Sequence, residues 1–325
     1  YKLYMAKINL INFLTRHRTK KENNNITHLC MFPELYRGCY HIDNKEIYEL
    51  NNILASEIEK GFKIGILETH QDLDVYRLFF DIDFRDTEKV GRLYTHQEIS
   101  LFLNGCIDVF KRYFTREETD YVCYVAEREE PVPYKDNMQK DGLHLYFNIY
   151  VSHSLHESIR NDLLGIMHTF FYYKEESDLD DKILNHNGLI LCGACKPDKK
   201  PYHITNIFHY NGLEWILNPC ELAINEQLNM TIIRVDEIAT ELFEEAYQHI
   251  NTQEIERSKN KKRKSRSNNM EFDVEKYTNV HVKYAKLFAN LLSKKRMSDY
   301  DSWMETGCTL YNISPGLYTV FDDIS

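Results

Sequence analysis

Apolar and polar positions alternate between two spacings along this chain, and the switches between them predict its elements. Near the start, Leu3, Ile8, Leu10, Ile11, Phe13 and Leu14 recur at helical spacing, and the polar stretch from Arg16 to Asn25 predicts a loop after that helix. Cys39–Ile42 reads as a short strand. Lys45–Lys60 sets Ile47, Leu50, Leu54 and Ile58 on one helical face, with Gly61 as a stop signal. Lys63–Glu68 and Leu78–Phe84 read as strands and are followed by a polar loop. His96–Phe114 carries Ile99, Phe102, Leu103, Ile107, Phe110 and Phe114 along one side of an amphipathic helix. Tyr121–Ala126 reads as a strand, Glu127–Asp141 as a polar loop with two prolines, Leu143–Val151 as a strand and Leu155–Tyr173 as a helix. Ile183-Leu184 and Leu189–Leu191 suggest a hairpin, and Tyr202–Trp215 one or two further strands. The pattern is α/β, with mixed strand connections and helices covering one or both sheet faces.

A break in composition follows. Arg257–Arg266 is dense in Lys and Arg, including Lys261, Lys262, Arg263 and Lys264, and has almost no apolar residue. It reads as a linker that also touches nucleic-acid phosphates, with a plain solvated linker and a nuclear-import signal as the other readings. Beyond it, Val282–Leu292 and Tyr300–Tyr311 read as two helices of a small second domain. The expected division is a core over 1–230, a helix and basic linker over 231–270, and the helical domain over 271–325.

Composition narrows the class. A chain of 325 residues with 43% hydrophobic and 28% charged content is that of an ordinary globular protein, and no apolar run is long enough to span a membrane. Eight cysteines scattered over this length suit a reducing compartment better than a disulfide framework. A net charge of −10 argues against indiscriminate coating of nucleic acid but leaves room for a local basic groove. The chain does not begin with Met, so a fragment of a longer protein is expected.

The candidate chemistry centres on Leu78–Phe84. Strand side chains alternate faces, so Asp81 and Asp83 point one way while Phe80, Ile82 and Phe84 point the other. Two carboxylates roughly 6–7 Å apart on one face repel each other, and a divalent metal is the commonest remedy. Two solvated aspartates on an edge strand are the alternative. A second cluster, Lys140-Asp141-Gly142-Leu143-His144, brings a histidine into a strand just after a glycine. It reads as a phosphate contact or as a hydrogen-bonded core histidine. In a third, Leu179-Asp180-Asp181, one aspartate is placed to complete a carboxylate trio, against plain surface acidity, and Cys192-Gly193-Ala194-Cys195-Lys196 follows.

In this order and spacing the three clusters resemble the catalytic core of the archaeo-eukaryotic primase (primase-polymerase) superfamily over roughly residues 30–215. That pattern is a strand with Asp-x-Asp, a small residue-x-His opening a strand, and an apolar residue before Asp, here Asp81/Asp83, Gly142-Leu143-His144 and Leu179-Asp180. The resemblance implies an α/β (α+β) mixed-sheet core with a small C-terminal helical domain. It also implies two Mg²⁺ or Mn²⁺ ions held by Asp81, Asp83 and Asp180, and a triphosphate steadied by His144 and Lys196. Lys199, Lys200 and Lys140 are further phosphate or template contacts on this reading. Gly142 stands where many members have serine, and Leu191 where many have an arginine. Arg296–Trp303, Gly307, Leu310 and Phe321 resemble the small helical domain that follows the core in helicase–primases of poxviruses and other large DNA viruses, although these residues also suit an ordinary helical core.

The resemblance implies a DNA primase working on single-stranded DNA with nucleoside triphosphates. A helicase ATPase is expected C-terminal in the same polypeptide, alongside other replisome proteins, in a cytoplasmic viral factory or the host nucleus. No phosphate-loop motif occurs in this chain. A metal-dependent nuclease and a non-catalytic DNA-binding scaffold are the rival functions. Cys192 and Cys195, with His203, His209 and Cys220 downstream, offer zinc ligands; a pair of buried thiols is the reading preferred here.

Overall fold

The computed structural model describes residues 2–250, apart from 21–24, 71, 88–90, 116–120, 172–175, 186–187, 198 and 249. The chain divides into two compact units, Tyr1–Glu254 and Ile255–Ser325. The basic run and the two helices expected beyond it lie outside the described residues.

Helix α1 (Lys2–Arg16) leads through a two-residue strand β1 (Arg18–Thr19) to β2 (His28–Phe32) and β3 (Gly38–Tyr40). Helix α2 (Ile47–Glu59) then precedes β4 (Gly65–Glu68). The expected stop is realised at Gly61, whose φ of +82° is in the region glycine favours. The chain continues through β5 (Tyr76–Asp86), α3 (His96–Phe110), β6 (Val122–Arg128), β7 (Val132–Pro133), β8 (Gln139–Val151) and α4 (His153–Phe170). It goes on through β9 (Glu176–Leu179), the short α5 (Lys182–Asn185), β10 (Leu189–Ile190), β11 (Tyr202–Tyr210), β12 (Trp215–Pro219) and α6 (Ile224–Met230), with a further helical turn over 244–248.

The strands form two antiparallel sheets among the described residues. The smaller has the order β1-β3-β2-β4-β10; the larger runs β12-β11-β6-β8-β5-β9, with β7 on β8. The large sheet's centre, β5 beside β8, reads in sequence as nearly continuous apolar residues because both of its faces are covered. On one face Ile82 pairs with Leu143 and Phe80 with Leu145, and this face packs under α3 and α4. Phe80 meets His156 of α4, Phe84 meets Phe171 just past α4, and Phe110 of α3 meets Phe147 edge to face. The opposite face carries Asp81, Asp83 and His144.

Local chemistry fixes the helix starts. Thr95 Oγ1 accepts from the Glu98 amide and Glu98 Oε2 accepts from the Thr95 amide, a reciprocal cap that opens α3. Ser152 Oγ accepts from the Leu155 amide at the start of α4.

Several expectations are corrected. Ile183-Leu184 and Leu189–Leu191 do not form a hairpin: the first pair lies in α5, while Leu189 and Ile190 pair with Glu68 and Leu67 of β4. The polar stretch Glu127–Asp141, expected as a loop, opens with the end of β6, contains β7, and closes with the first residues of β8. Those polar positions stay in the sheet because partners distant in sequence satisfy them: Lys140 binds Asp83 of the neighbouring strand, and Asp141 binds Arg92 in the segment before α3. Strands β2 and β9 and helix α6 are additions to the predicted elements. No helix among the described residues is long and apolar enough to cross a membrane.

Candidate active site

A cavity of about 260 Å³ opens on the polar face of the large sheet. Asp81, Asp83, His144, Asp180, Lys140, Lys196, Lys199 and Lys200 all line it, so these eight residues, drawn from four separate sequence stretches, come together. Leu29 and Met31 of β2, Leu67 of β4, and Leu189 and Ile190 of β10 form an apolar wall contributed by the small sheet. The cleft therefore lies between the two sheets, polar on one side and apolar on the other. That is the composition of a site for a ligand with a charged end and a flat organic end.

Register builds the polar wall. Asp81 pairs with His144, and Asp83 with Gly142. His144 Nε2 lies 3.6 Å from Asp81 Oδ1, and His144 Nδ1 lies 3.4 Å from the Tyr146 hydroxyl. A Cβ on Gly142 would stand 2.8 Å from the Ile82 carbonyl oxygen and 3.1 Å from Asp83 Oδ1. Glycine is needed here because the neighbouring backbone and the carboxylate come too close for any side chain.

Asp180 reaches the same cleft through a turn fixed at three points. Its amide donates to the Asp81 carbonyl at 3.0 Å, its Oδ1 accepts from the Lys182 amide at 2.9 Å, and Arg160 of α4 donates through Nε to the Leu179 carbonyl at 2.9 Å. Asp181, next in sequence, is exposed and stands outside the cavity lining.

The electrostatics are those of crowded carboxylates. Burial, and then the neighbouring Asp83 and Asp180, push the Asp81 carboxyl well above the usual carboxylate range, against the opposing pull of Lys140 and Arg128. Asp81 Oδ1 is buried with no hydrogen-bond donor. Asp83 is held by Lys140 Nζ at 2.6 Å, and Arg85 stands 3.8 Å away. Burial, followed by Arg128, Lys196 and Lys140, pulls the His144 imidazole well below its ordinary value, so the ring is neutral at neutral pH.

The donor set fits a hard divalent cation. Three carboxylates line one cavity, and a buried carboxylate oxygen among them lacks any donor. Among the described residues no three His, Cys, Asp or Glu side chains are gathered tightly enough to enclose an ion alone. Mg²⁺ does not require such an enclosure, because it is commonly held by one or two carboxylates together with water and substrate phosphates.

The remaining sequence candidates fall as follows. Lys200 is half exposed and bound to Glu129 at 3.0 Å, which puts it at the rim. Leu191 is buried, its amide bonded to the Ile66 carbonyl, and contributes no cation. Cys192 is buried beside Thr231 and Tyr146, and burial pushes its thiol up to about 12. His203 faces Gln227, and His209 lies six positions further along β11, roughly 20 Å away at strand spacing. Those two histidines cannot share one ion with Cys192 and Cys195. Cys220 follows β12 and is partly exposed. Lys261, Lys262, Arg263 and Lys264 lie outside the described residues.

Arg128 and Tyr202 also line the cavity and were not singled out from sequence. The predicted strand Tyr121–Ala126 falls two residues short of Arg128. Extending it at period two would have set Arg128 on the face of Ala126, which pairs with His144.

A two-sheet core with an Asp-x-Asp strand beside a histidine strand defines the class of protein. The chain belongs to the family described as the C962R protein N-terminal AEP domain, the archaeo-eukaryotic primase type, whose family model matches residues 27–208, more than half of the chain. It is also similar to a protein of Acanthamoeba polyphaga mimivirus named "Putative helicase L207/L206", with 24% identity over 355 residues. The match takes in 94% of this chain and 35% of the mimivirus protein, so the chain spans about a third of that relative's length.

Proposed function

We propose that this chain is a DNA primase: a template-directed nucleotidyltransferase that joins nucleoside triphosphates on single-stranded DNA. The observation that carries the reading is the convergence of Asp81, Asp83, Asp180, His144 and Lys196 on one cavity within an archaeo-eukaryotic primase domain. A longer polypeptide with a helicase part, serving replication in a large DNA virus, is proposed with it, supported by the name of the mimivirus relative.

On this reading Asp81, Asp83 and Asp180 hold two Mg²⁺ or Mn²⁺ ions. Bound there, such ions lower the charge on the triphosphate and favour ionisation of the attacking hydroxyl. The residues of the chain do the rest. Lys196, exposed at the mouth of the cavity, meets the triphosphate as a point charge. His144, held neutral against Asp81 and Tyr146, donates one N–H to a phosphate oxygen. Lys140 neutralises Asp83 until the nucleotide arrives, which keeps the carboxylates from repelling one another. The apolar wall of Leu29, Leu67 and Ile190 gives the base and sugar a surface to lie against.

Primer synthesis on single-stranded DNA with labelled nucleotides and Mg²⁺ or Mn²⁺ tests the proposal. New oligonucleotides from the wild type, and none from Asp81→Asn/Asp83→Asn, are expected. Shortening of the template without synthesis would make the protein a nuclease. DNA binding without any reaction would make it a scaffold.

A further inference from the structure

Arg128 ends β6 directly opposite Tyr202 of β11, and cross-strand partners raise their side chains on the same face. Its guanidinium carbon stands 4.4 Å from the centre of the Tyr202 ring. That ring in turn stacks on His144, with centroids 3.9 Å apart and planes 25° from parallel. Arg128, Tyr202 and His144 thus form a stack along the wall of the cavity that the carboxylates share.

Next to the stack lies Gly142. A Cβ there would come 3.4 Å from the Tyr202 hydroxyl and 3.1 Å from Asp83 Oδ1, so the bare backbone lets the stack and the carboxylate wall approach each other. Arg128 lowers the Asp81 carboxyl from a distance but closes no ion pair with it. Lys140 is paired with Asp83 and Lys200 with Glu129, whereas no carboxylate among the described residues pairs with Arg128. Its Nε is buried without a hydrogen-bond partner. A guanidinium stacked on a ring keeps its N–H donors in its own plane, free to bind an anion in a forked geometry. Arg128 is partly buried and its Nε has no acceptor, so an anionic ligand in the cavity is the natural complement.

We infer that Arg128, positioned by Tyr202, binds the polyphosphate of the incoming nucleotide. The inference rests on the nucleotidyl-transfer reading. Phosphate has two sources at such a site, the nucleotide and the template backbone. The nucleotide is favoured because Arg128 is stacked inside the cavity with His144, while Lys200 marks the exposed rim.

Equilibrium binding to the 325-residue chain, with Mg²⁺ present, separates the sources. The probes are inorganic tripolyphosphate, thymidine triphosphate, thymidine and a labelled single-stranded oligonucleotide. Arg128→Gln is expected to bind tripolyphosphate and thymidine triphosphate at least ~10-fold more weakly. Its thymidine and oligonucleotide affinities and its melting temperature should stay at the wild-type values. Arg128→Lys, which keeps the charge but loses the fork, should fall between, and Tyr202→Leu should weaken the same two probes. Unchanged triphosphate binding in Arg128→Gln would overturn the inference, as would weakened oligonucleotide binding with triphosphate binding intact. Failure of the wild type to bind triphosphate would overturn the nucleotidyl-transfer reading itself.

Discussion

Asp81 and His144 are cross-strand partners in the centre of the large sheet, with Asp81 Oδ1 3.6 Å from His144 Nε2. A central strand pair is about the most rigid place a fold offers, so both groups are fixed before any substrate arrives. The arrangement is costly to the fold, since Asp81 is crowded by two further carboxylates and has a buried oxygen with no donor.

That cost predicts a separation of stability from activity. Asp81→Asn removes charge repulsion while keeping the shape of the side chain. It should abolish synthesis yet leave the melting temperature at or above that of the wild type. Mn²⁺ should raise the wild-type melting temperature and leave that of Asp81→Asn/Asp83→Asn unmoved, because a ligand stabilises only the state that binds it. Differential scanning fluorimetry with and without metal reads both effects.

Asp141 should behave in the opposite way. It is fully buried and accepts from Arg92 at 2.9 Å, from the Leu93 amide at 3.0 Å and from the Gly142 amide at 2.9 Å. Asp141→Ala leaves the Leu93 and Gly142 amides unanswered and takes the carboxylate from Arg92, which keeps the Tyr94 hydroxyl and the Arg128 and Glu129 carbonyls. A loss of ~2–3 kcal/mol in urea unfolding is expected, mostly from the two unanswered amides.

Gly142→Ala probes the close approach of β8 to β5. The added methyl carbon meets the Ile82 carbonyl at 2.8 Å, and backbone cannot move aside as a flexible side chain does. A stability loss of ~1–3 kcal/mol is expected, together with a fall in synthesis.

The fold should also be sensitive to mild acid. His28 and His70 are buried, and burial, with Arg234 adding to the effect on both, pulls each ring from 6.5 down to about 3. Each is neutral in the folded chain and takes up a proton on unfolding below pH 6.5. Their contribution is therefore complete above 6.5 and declines as pH falls toward about 3, by up to ~1.4 kcal/mol per pH unit for each ring. His70 packs against Tyr76 and Phe79 with ring centroids 4.3 and 5.2 Å away. His70→Phe should therefore flatten the profile between pH 6.5 and 5 in urea titrations.

The acid pair and the strand carrying it were legible in the sequence because a run such as Leu78–Phe84 tolerates aspartate only where something answers the charge. Helices α2, α3 and α4 were legible from their apolar stripes. What escaped depends on contacts distant in sequence. Strand β10 is two residues long and pairs with β4 more than 100 positions earlier, which no local pattern encodes. The start of β8 reads as a loop because its polar residues are satisfied by Asp83 on the neighbouring strand and by Arg92 in the segment before α3. Arg128 looked like a loop cation for the same reason: its role comes from Tyr202, 74 positions away, and only the register of β6 with β11 joins them. The family pattern alone separates Asp180 from Asp181 in the sequence; in the fold Asp180 lines the cavity and Asp181 is exposed outside it.

The stoichiometry of the reaction is the measurement that decides most directly. Pyrophosphate release and nucleotide incorporation would be counted together on a single-stranded template, for the wild type and for Asp81→Asn. One pyrophosphate per nucleotide incorporated by the wild type, with neither product from the variant, is the predicted result. Template fragments without pyrophosphate, or equal incorporation by both proteins, would contradict nucleotidyl transfer at Asp81.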